Sequence, residues 1–225
     1  MELWTMWTQM LEASLGFLTS YFGFSEAAAI ISLTLMARIT MMPFSLKAAY
    51  NMQKNKEAME RVKPALEKLR KKLKDNPHEL AVRTMALYRE NGIVFVDKIS
   101  ILNIGFQSIF GIGMFQVLKR MVFRSKFFWI SNLGKPDFLL TIITGLLMAI
   151  AMTLMPGSAE NTSMLFIVAI PVLITVVAVA TLPSALGVYW ATSNVVTIGQ
   201  SLALRAFLAH RHRLQNRAII SSLKK

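Results

Sequence analysis

The chain lacks cysteine altogether and is poor in acid, with 12 Asp and Glu against 25 Lys and Arg among 225 residues. The absence of cysteine excludes disulfide bonds, thiolate catalysis and cysteine-linked lipid anchors. No P-loop, zinc-ligand cluster or Ser/His/Asp set occurs, and the three histidines lie in polar segments. These absences leave few groups for chemistry, so we expect no enzyme, no catalytic residue, no metal and no cofactor.

Long apolar runs, in contrast, are abundant. Hydrophobic residues make up 54% of the chain and charged residues only 16%. Four runs carry almost no charge: 27–46, 99–118, 138–159 and 161–204. About 20 apolar residues cross a bilayer, so the last run is divided at Pro183 into two spans, 163–181 and 184–204. Because backbone polar groups in lipid must be hydrogen-bonded within one segment, the sequence predicts an all-α membrane protein with five transmembrane helices.

Three further segments flank or interrupt these spans. Residues 1–24 mix tryptophans and other apolar residues with two glutamates, which is typical of an amphipathic helix at the membrane interface. Residues 25–204 form the predicted five-span core, with a polar insertion at 48–92, and 205–225 form a basic tail without acid. The positive-inside rule places the insertion and the tail in the cytoplasm.

The distribution of basic residues follows this rule with one exception. Residues 47–98 hold 13 Lys and Arg against 7 Asp and Glu, on the predicted cytoplasmic side. A second basic cluster falls on the predicted outer side: Lys119, Arg120, Arg124, Lys126 and Lys135. Basic charge at a membrane sets topology and contacts anionic lipids, and contact with ribosomal RNA is the alternative.

The insertion at 48–92 has the pattern of a helical hairpin. Apolar residues follow coiled-coil spacing on a first arm: Met52, Met59, Val62, Leu66, Leu69 and Leu73. Asp75-Asn76-Pro77 is a turn signal before a second arm, and Pro64 must kink the first arm or begin a new helix. The hairpin is either a solvated linker or a mobile arm that touches substrates or the ribosome.

Arg38 is the one charge in the run 27–46, and no predicted span offers a carboxylate to pair with it. A guanidinium at membrane depth costs about 2.5–3.5 kcal/mol on insertion scales. Charged residues that occur in a span despite this cost usually face a water-filled cavity and mark a functional site. We therefore expect Arg38 to line a water-filled cavity.

Polar residues in three spans recur at helical spacing and predict the walls of that cavity. The candidate site residues are Arg38, Thr34 and Ser45 in the first span, Asn103 and Gln107 in the second, and Tyr189, Trp190 and Ser193 in the fifth. Taken singly, such residues more often hold helices together by hydrogen bonds. Three stripes together with an unpaired arginine favour a shared cavity.

Several motifs resemble those of the YidC/Oxa/Albino membrane-protein insertases. The strongest is Leu182-Pro183-Ser184-Ala185-Leu186-Gly187-Val188-Tyr189-Trp190, continuing to Ser193-Asn194 and Gln200. Also similar are Arg38-Ile39-Thr40-Met41-Met42-Pro43, Phe128-Trp129-Ile130-Ser131-Asn132-Leu133 with Pro136-Asp137, and Tyr88 before Asn91-Gly92-Ile93. The resemblance covers roughly residues 17–213. The chain departs from the family's pattern by having no proline in 94–118 and by its basic outer segment 119–135.

The resemblance implies a five-span core with a groove open to the cytoplasm and to lipid but closed outside. Arg38 matches the arginine that makes this groove hydrophilic, and Thr34, Gln107, Tyr189 and Trp190 occupy positions used for the groove or for substrate contact. The implied partners are newly made membrane proteins and the lipid bilayer, with the ribosome and a Sec-type translocon as further candidates. The implied location is the bacterial inner membrane, or the mitochondrial or thylakoid membrane.

The sequence thus predicts an insertase that works without nucleotide hydrolysis. Hydrophobic partitioning of the client, about 0.8 kcal/mol per buried methylene, supplies the driving force. Two other functions stay open. One is a small-solute channel or transporter with Arg38 as an anion site, although no inverted repeat is evident. The other is a non-catalytic subunit that assists the assembly of a membrane complex.

Overall fold

The computed structural model describes residues 2–94, 97–155 and 163–223. Seven helices account for most of them: α1 Glu2–Tyr21, α2 Glu26–Lys72, α3 Pro77–Glu90, α4 Lys98–Arg120, α5 Phe138–Leu154, α6 Ser163–Thr181 and α7 Ser184–Leu223. Within these ranges the only β-structure is an isolated bridge between Phe127 and Ile130. The predicted all-α class is confirmed. The predicted end of the third span, 156–159, lies outside the described residues.

Side-chain caps fix where several helices begin. Ser25 Oγ accepts a hydrogen bond from the Ala28 amide at the start of α2, at 3.2 Å. Asp137 Oδ1 accepts one from the Leu140 amide at the start of α5, at 2.7 Å. Asp97 caps α4 in the same way, and the hydrogen bond from the Ser100 hydroxyl lowers the pKa of its carboxyl group. Such caps satisfy amides that have no partner inside the helix.

Helix length and hydropathy identify two described helices as able to cross a membrane, α2 and α4. The helix α5 and the segment 168–181 of α6 are apolar but shorter than that criterion requires. The number of five spans therefore stays a prediction.

Two helices run further than the sequence pattern predicts. The helix α2 has 47 residues and joins the first predicted span to the first arm of the hairpin, a length of about 70 Å. It continues through Pro43 and Pro64, so no new helix begins at Pro64. Similarly, the 40-residue α7 continues past Leu204 into the basic tail.

Most of the core lies between α1, α2, α4 and the first turns of α7. Fully buried residues from these helices include Ile30, Met114, Leu118 and Leu186. Helix α7 also approaches α5 closely at Gly187, where a Cβ atom would lie 2.5 Å from Leu140 Cδ2. A residue without a side chain is what permits this approach between apolar helices.

The segment after α2 folds back along it. Helix α3 packs on α2 through a small cluster in which Ala58, Val62 and Ile93 are buried against Leu87 and Tyr88. The side chain of Asn55 also forms two hydrogen bonds with the backbone of Val94, one from each of its amide atoms. These contacts tie the end of the hairpin region to α2.

Candidate functional site

Arg38 and two amide side chains form a hydrogen-bonded chain between α2 and α4. The Arg38 guanidinium donates to Gln107 Oε1 at 2.9 Å. Gln107 Nε2 in turn donates to Asn103 Oδ1 at 3.1 Å, one turn earlier on α4. The ion pairs of the described residues all lie elsewhere, so the Gln107 amide oxygen solvates this positive charge without neutralising it.

Two cavities meet at Arg38. The first, of about 330 Å³, is largely apolar and is lined by Trp7, Ala37, Arg38, Thr40, Met41, Ser45, Phe106, Gln107, Ile109, Phe110 and Tyr189. The second, of about 450 Å³, carries more polar side chains: Ser45, Ser100, Asn103, Gln107, Ser108, Thr197, Gln200 and Ser201. Arg38, Ser45 and Gln107 line both. We call the two cavities together the groove.

The groove has one end near α1 and the other near the hairpin. Trp7 of α1 lines the first cavity, whereas Ala48, Ala49 and Met52, at the root of the hairpin, line the second. Charged contacts join α7 to neighbouring helices beyond the second cavity. Arg205 donates to the Leu154 carbonyl at 3.0 Å, and Arg211 donates to the Tyr50 hydroxyl at 2.7 Å.

The structure brings five of the eight predicted site residues to the groove: Arg38, Ser45, Asn103, Gln107 and Tyr189. Tyr189 is 5% exposed, and its ring lies 6.2 Å from that of Phe110. The three helices predicted to wall the cavity are therefore those that contribute these side chains.

Three predicted site residues lie apart from the groove. Thr34 is fully buried, and its hydroxyl donates to the Ile30 carbonyl at 2.7 Å, so helical spacing with Arg38 does not bring it to the cavity. Trp190 packs against Phe115, with ring centroids 6.5 Å apart, because adjacent helical residues point about 100° apart. Ser193 is buried, at 4% exposure, and does not line either cavity.

The apolar wall of the first cavity was not predicted from sequence. Trp7 reaches it because α1 packs on α4 at Gly113, where a Cβ atom would lie 2.6 Å from the indole Nε1. The indole also donates to the Ile109 carbonyl at 3.3 Å. The tryptophan was visible in the amphipathic pattern, but no local signal identifies the helix against which it packs.

The sequence of this chain is similar to a known family of membrane proteins. The family model described as "60Kd inner membrane protein" matches residues 17–211. "Membrane protein insertase YidC 1" of Listeria monocytogenes serotype 4b (strain F2365) is 32% identical over 194 residues, covering 81% of this chain and 65% of that protein.

Two further relatives carry the same type of name. "Membrane protein insertase YidC" of Oceanobacillus iheyensis is 31% identical over 193 residues, covering 78% of this chain and 73% of the relative. The protein so named in Syntrophus aciditrophicus is 29% identical over 201 residues, covering 88% of this chain and 36% of the relative. The chain thus spans about 65% of the length of the Listeria protein. Because the family match extends over most of its residues, the chain belongs to the 60Kd inner membrane protein family, which is the YidC insertase family.

Proposed function

We propose that this protein is a membrane-protein insertase of the bacterial inner membrane and that the groove at Arg38 is where it receives its clients. The observation that carries the proposal is a positive charge, held by Gln107 between two cavities, with no acidic partner among the described residues. The relatives that match it are bacterial proteins named as insertases. Family membership and site geometry thus support the same function.

The proposed topology follows from the apolar runs and the basic segments. Residues 25–204 form a five-span core, 1–24 lie at the outer interface, and the hairpin at 48–92 and the tail at 205–225 lie in the cytoplasm. The end of the groove near Met52 then opens to the cytoplasm, and the end near Trp7 lies deeper in the membrane. In this orientation the more polar second cavity lies on the cytoplasmic side, from which clients enter.

The groove can promote insertion by physical means alone. A hydrophilic client segment meets a large barrier in hydrocarbon, and a wet groove reaching part of the way across shortens that path. The Arg38 guanidinium attracts acidic residues of the incoming segment, and the apolar first cavity accepts an apolar stretch that then moves into lipid. Partitioning of the client into the bilayer drives the process, so neither nucleotide hydrolysis nor covalent chemistry is needed.

The clients are newly made membrane proteins with short translocated tails. The hairpin and the basic tail are the surfaces that would contact a ribosome, and a Sec-type translocon is a further partner. Exposed apolar side chains on the hairpin, such as Met52, Met59, Val82 and Met85, offer contact area for such partners.

Depletion of the native protein followed by rescue with variants tests the role of Arg38. Arg38→Ala should lower insertion of a client with an acidic tail by at least tenfold, because the charge that attracts the tail is gone. Arg38→Lys should retain much of the activity. Client insertion is measured by protease protection of the translocated tail.

Arg61→Ala is a matched control, because Arg61 is exposed on the hairpin and its replacement removes the same charge outside the groove. Normal insertion by Arg38→Ala together with a loss of anion flux would show a channel instead. Full activity in Arg38→Ala would contradict a role for charge in the groove.

Photo-crosslinking tests whether clients enter the groove. A crosslinker placed at Tyr189, which lines the first cavity, should capture a ribosome-stalled client. The same probe at Trp190, which packs on Phe115, is the matched control and should capture several-fold less. Equal capture at the two adjacent positions would mean that the cavity is not the client path.

A further inference from the structure

The loop between α4 and α5, residues 121–137, has a surface that the groove does not use. We call it the α4–α5 loop. It joins two apolar helices, which end at Arg120 and begin at Phe138. Under the membrane topology of the proposed function, such a connection lies at the level of the lipid headgroups, on the side opposite the hairpin. A role for the loop at the membrane surface therefore rests on this topology and not on the insertion activity.

The loop is held in one conformation by contacts with two helices. The Glu26 carboxylate of α2 accepts hydrogen bonds from the Arg124 amide, the Ser125 amide and the Ser125 hydroxyl, at 3.1, 3.0 and 2.7 Å. At the start of α7, the Ala185 amide donates to the Leu133 carbonyl at 3.0 Å. Leu133 itself is fully buried. The loop therefore presents a fixed surface.

Large apolar side chains project from this fixed base. Phe128 is 84% exposed, Val122 is 76% exposed and Trp129 is 49% exposed. Phe128 has a φ of 48°, in the left-handed region that residues with side chains rarely adopt. The backbone thus holds an aromatic ring outward in a conformation that exposes it. Tryptophan is enriched at the interface between headgroups and acyl chains, and the exposed Phe128 ring adds apolar area next to Trp129.

The same surface segment carries several basic side chains. Four basic residues in and beside the loop are exposed: Lys119, Arg124, Lys126 and Lys135. Asp137 is the only acid in 119–138, and its carboxylate already accepts hydrogen bonds from Trp129 Nε1 and the Leu140 amide. None of the four belongs to an ion pair of the described residues. The surface is cationic and amphipathic.

We propose that the α4–α5 loop is a binding site for anionic phospholipid headgroups in the leaflet opposite the hairpin. The lysines and Arg124 bind the lipid phosphates, while Phe128 and Val122 lie among the upper acyl chains. Each basic residue at an anionic membrane surface strengthens such binding. Lipid binding also accounts for a basic cluster on the side where the positive-inside rule disfavours one.

The absence of cysteine permits a direct test of lipid selectivity. A fluorophore is attached to Ser131→Cys, an exposed loop position, in the full chain reconstituted into vesicles. The vesicles contain phosphatidylcholine with a minor fraction of phosphatidylglycerol, and a nitroxide quencher is carried on the acyl chain of one lipid or the other. Quenching per mole should be at least about fivefold greater for phosphatidylglycerol, the change expected from a single basic residue at the surface.

Charge variants identify the source of the selectivity. Lys119→Gln/Arg124→Gln/Lys126→Gln/Lys135→Gln should bring the quenching ratio close to one, whereas Phe128→Ser should lower quenching by both lipids and leave the ratio unchanged. Lys68→Gln/Lys71→Gln/Lys72→Gln/Lys74→Gln removes the same charge from the hairpin and should leave the ratio as in the unaltered chain.

Two results would overturn the proposal: equal quenching by the two lipids in the unaltered chain, or a ratio that survives the loop variant. If the loop variant does not fold, raising the salt concentration must abolish the ratio in the unaltered chain, because salt screens surface charge. A ratio that persists in high salt would also overturn the proposal. Arg38→Ala should keep the ratio, so a failure of the insertase proposal is distinguishable from a failure of this one.

Discussion

At the scale of single residues, the positive charge of the groove depends on the neutral hydrogen-bond acceptor that Gln107 offers to Arg38. An amide oxygen accepts the guanidinium hydrogen bond at 2.9 Å but brings no negative charge. A carboxylate in its place would form an ion pair and remove the attraction for an acidic client. In the proposed insertase, this neutral partner would keep Arg38 available to an acidic client.

Gln107→Glu tests this role of the amide. We expect insertion of a client with an acidic tail to fall about tenfold, which corresponds to losing about 1.4 kcal/mol of attraction. A client whose tail acids are replaced by amides should be affected much less. The measurement is protease protection of each client after rescue of depleted cells.

Gln116→Glu is the matched control for this variant. Gln116 lies on the same helix and accepts a hydrogen bond from Trp4 Nε1 at 2.8 Å, outside the groove. A glutamate there can still accept that bond, and insertion should be unchanged. Equal losses for the two variants would show that an acid on α4 harms the protein wherever it lies.

Single residues also show the limit of sequence patterns. Arg38, Gln107 and Tyr189 could be predicted as groove residues because polar groups in apolar spans are rare, and because each lies at helical spacing from other polar residues of its own span. Thr34 fits the same spacing, yet its hydroxyl donates to the Ile30 carbonyl of its own helix, and the side chain stays in the core. Periodicity specifies a face of a helix but not how far along that face a cavity extends.

At the scale of elements, Glu26 connects the start of α2 to the α4–α5 loop. Its carboxylate accepts hydrogen bonds from three donors, which are the Arg124 amide, the Ser125 amide and the Ser125 hydroxyl. These bonds join parts of the chain about a hundred positions apart, which no sequence pattern reveals. The starts of α4 and α5, in contrast, fall within one residue of the predicted runs 99–118 and 138–159. Asp97 and Asp137, which cap these helices, lie one or two residues before the apolar runs, so the change in polarity and the helix start coincide.

Glu26→Ala should release the loop from α2. Two backbone amides and one hydroxyl lose their acceptor, and we expect a loss of about 1–3 kcal/mol in the free energy of unfolding. Denaturant unfolding in detergent, followed by circular dichroism, measures this change. Glu67→Ala, at an exposed position on the hairpin, should change the stability little, and equal losses for the two would contradict an anchoring role.

At the scale of the whole molecule, α2 and α7 are much longer than the spans predicted from the sequence. The uncharged run ends where α2 leaves the predicted span, but the helix continues for more than twenty residues and includes Pro64. A change in polarity therefore marks a change of environment and not the end of a helix. The same holds for α7, which passes Leu204 without interruption.

Labelling of single cysteines tests the proposed orientation of the whole molecule. In this cysteine-free chain, Asp75→Cys in the hairpin turn should react with a membrane-impermeant maleimide only after the membrane is opened. Ser131→Cys in the α4–α5 loop should react in intact spheroplasts. Reaction of both positions on the same side would contradict the odd number of spans between the hairpin and this loop.

Under the proposed function, a guanidinium that lines both cavities and has no acidic partner among the described residues also affects how easily ions cross the membrane. A water-filled groove shortens the hydrocarbon path across the bilayer. A shorter path lowers the barrier to permeation by protons and metal cations. A fixed positive charge repels such ions, as arginine does in the pores of water channels. In the proposed insertase, the side chain that attracts an acidic client would thereby also limit the loss of the electrochemical gradient across the membrane.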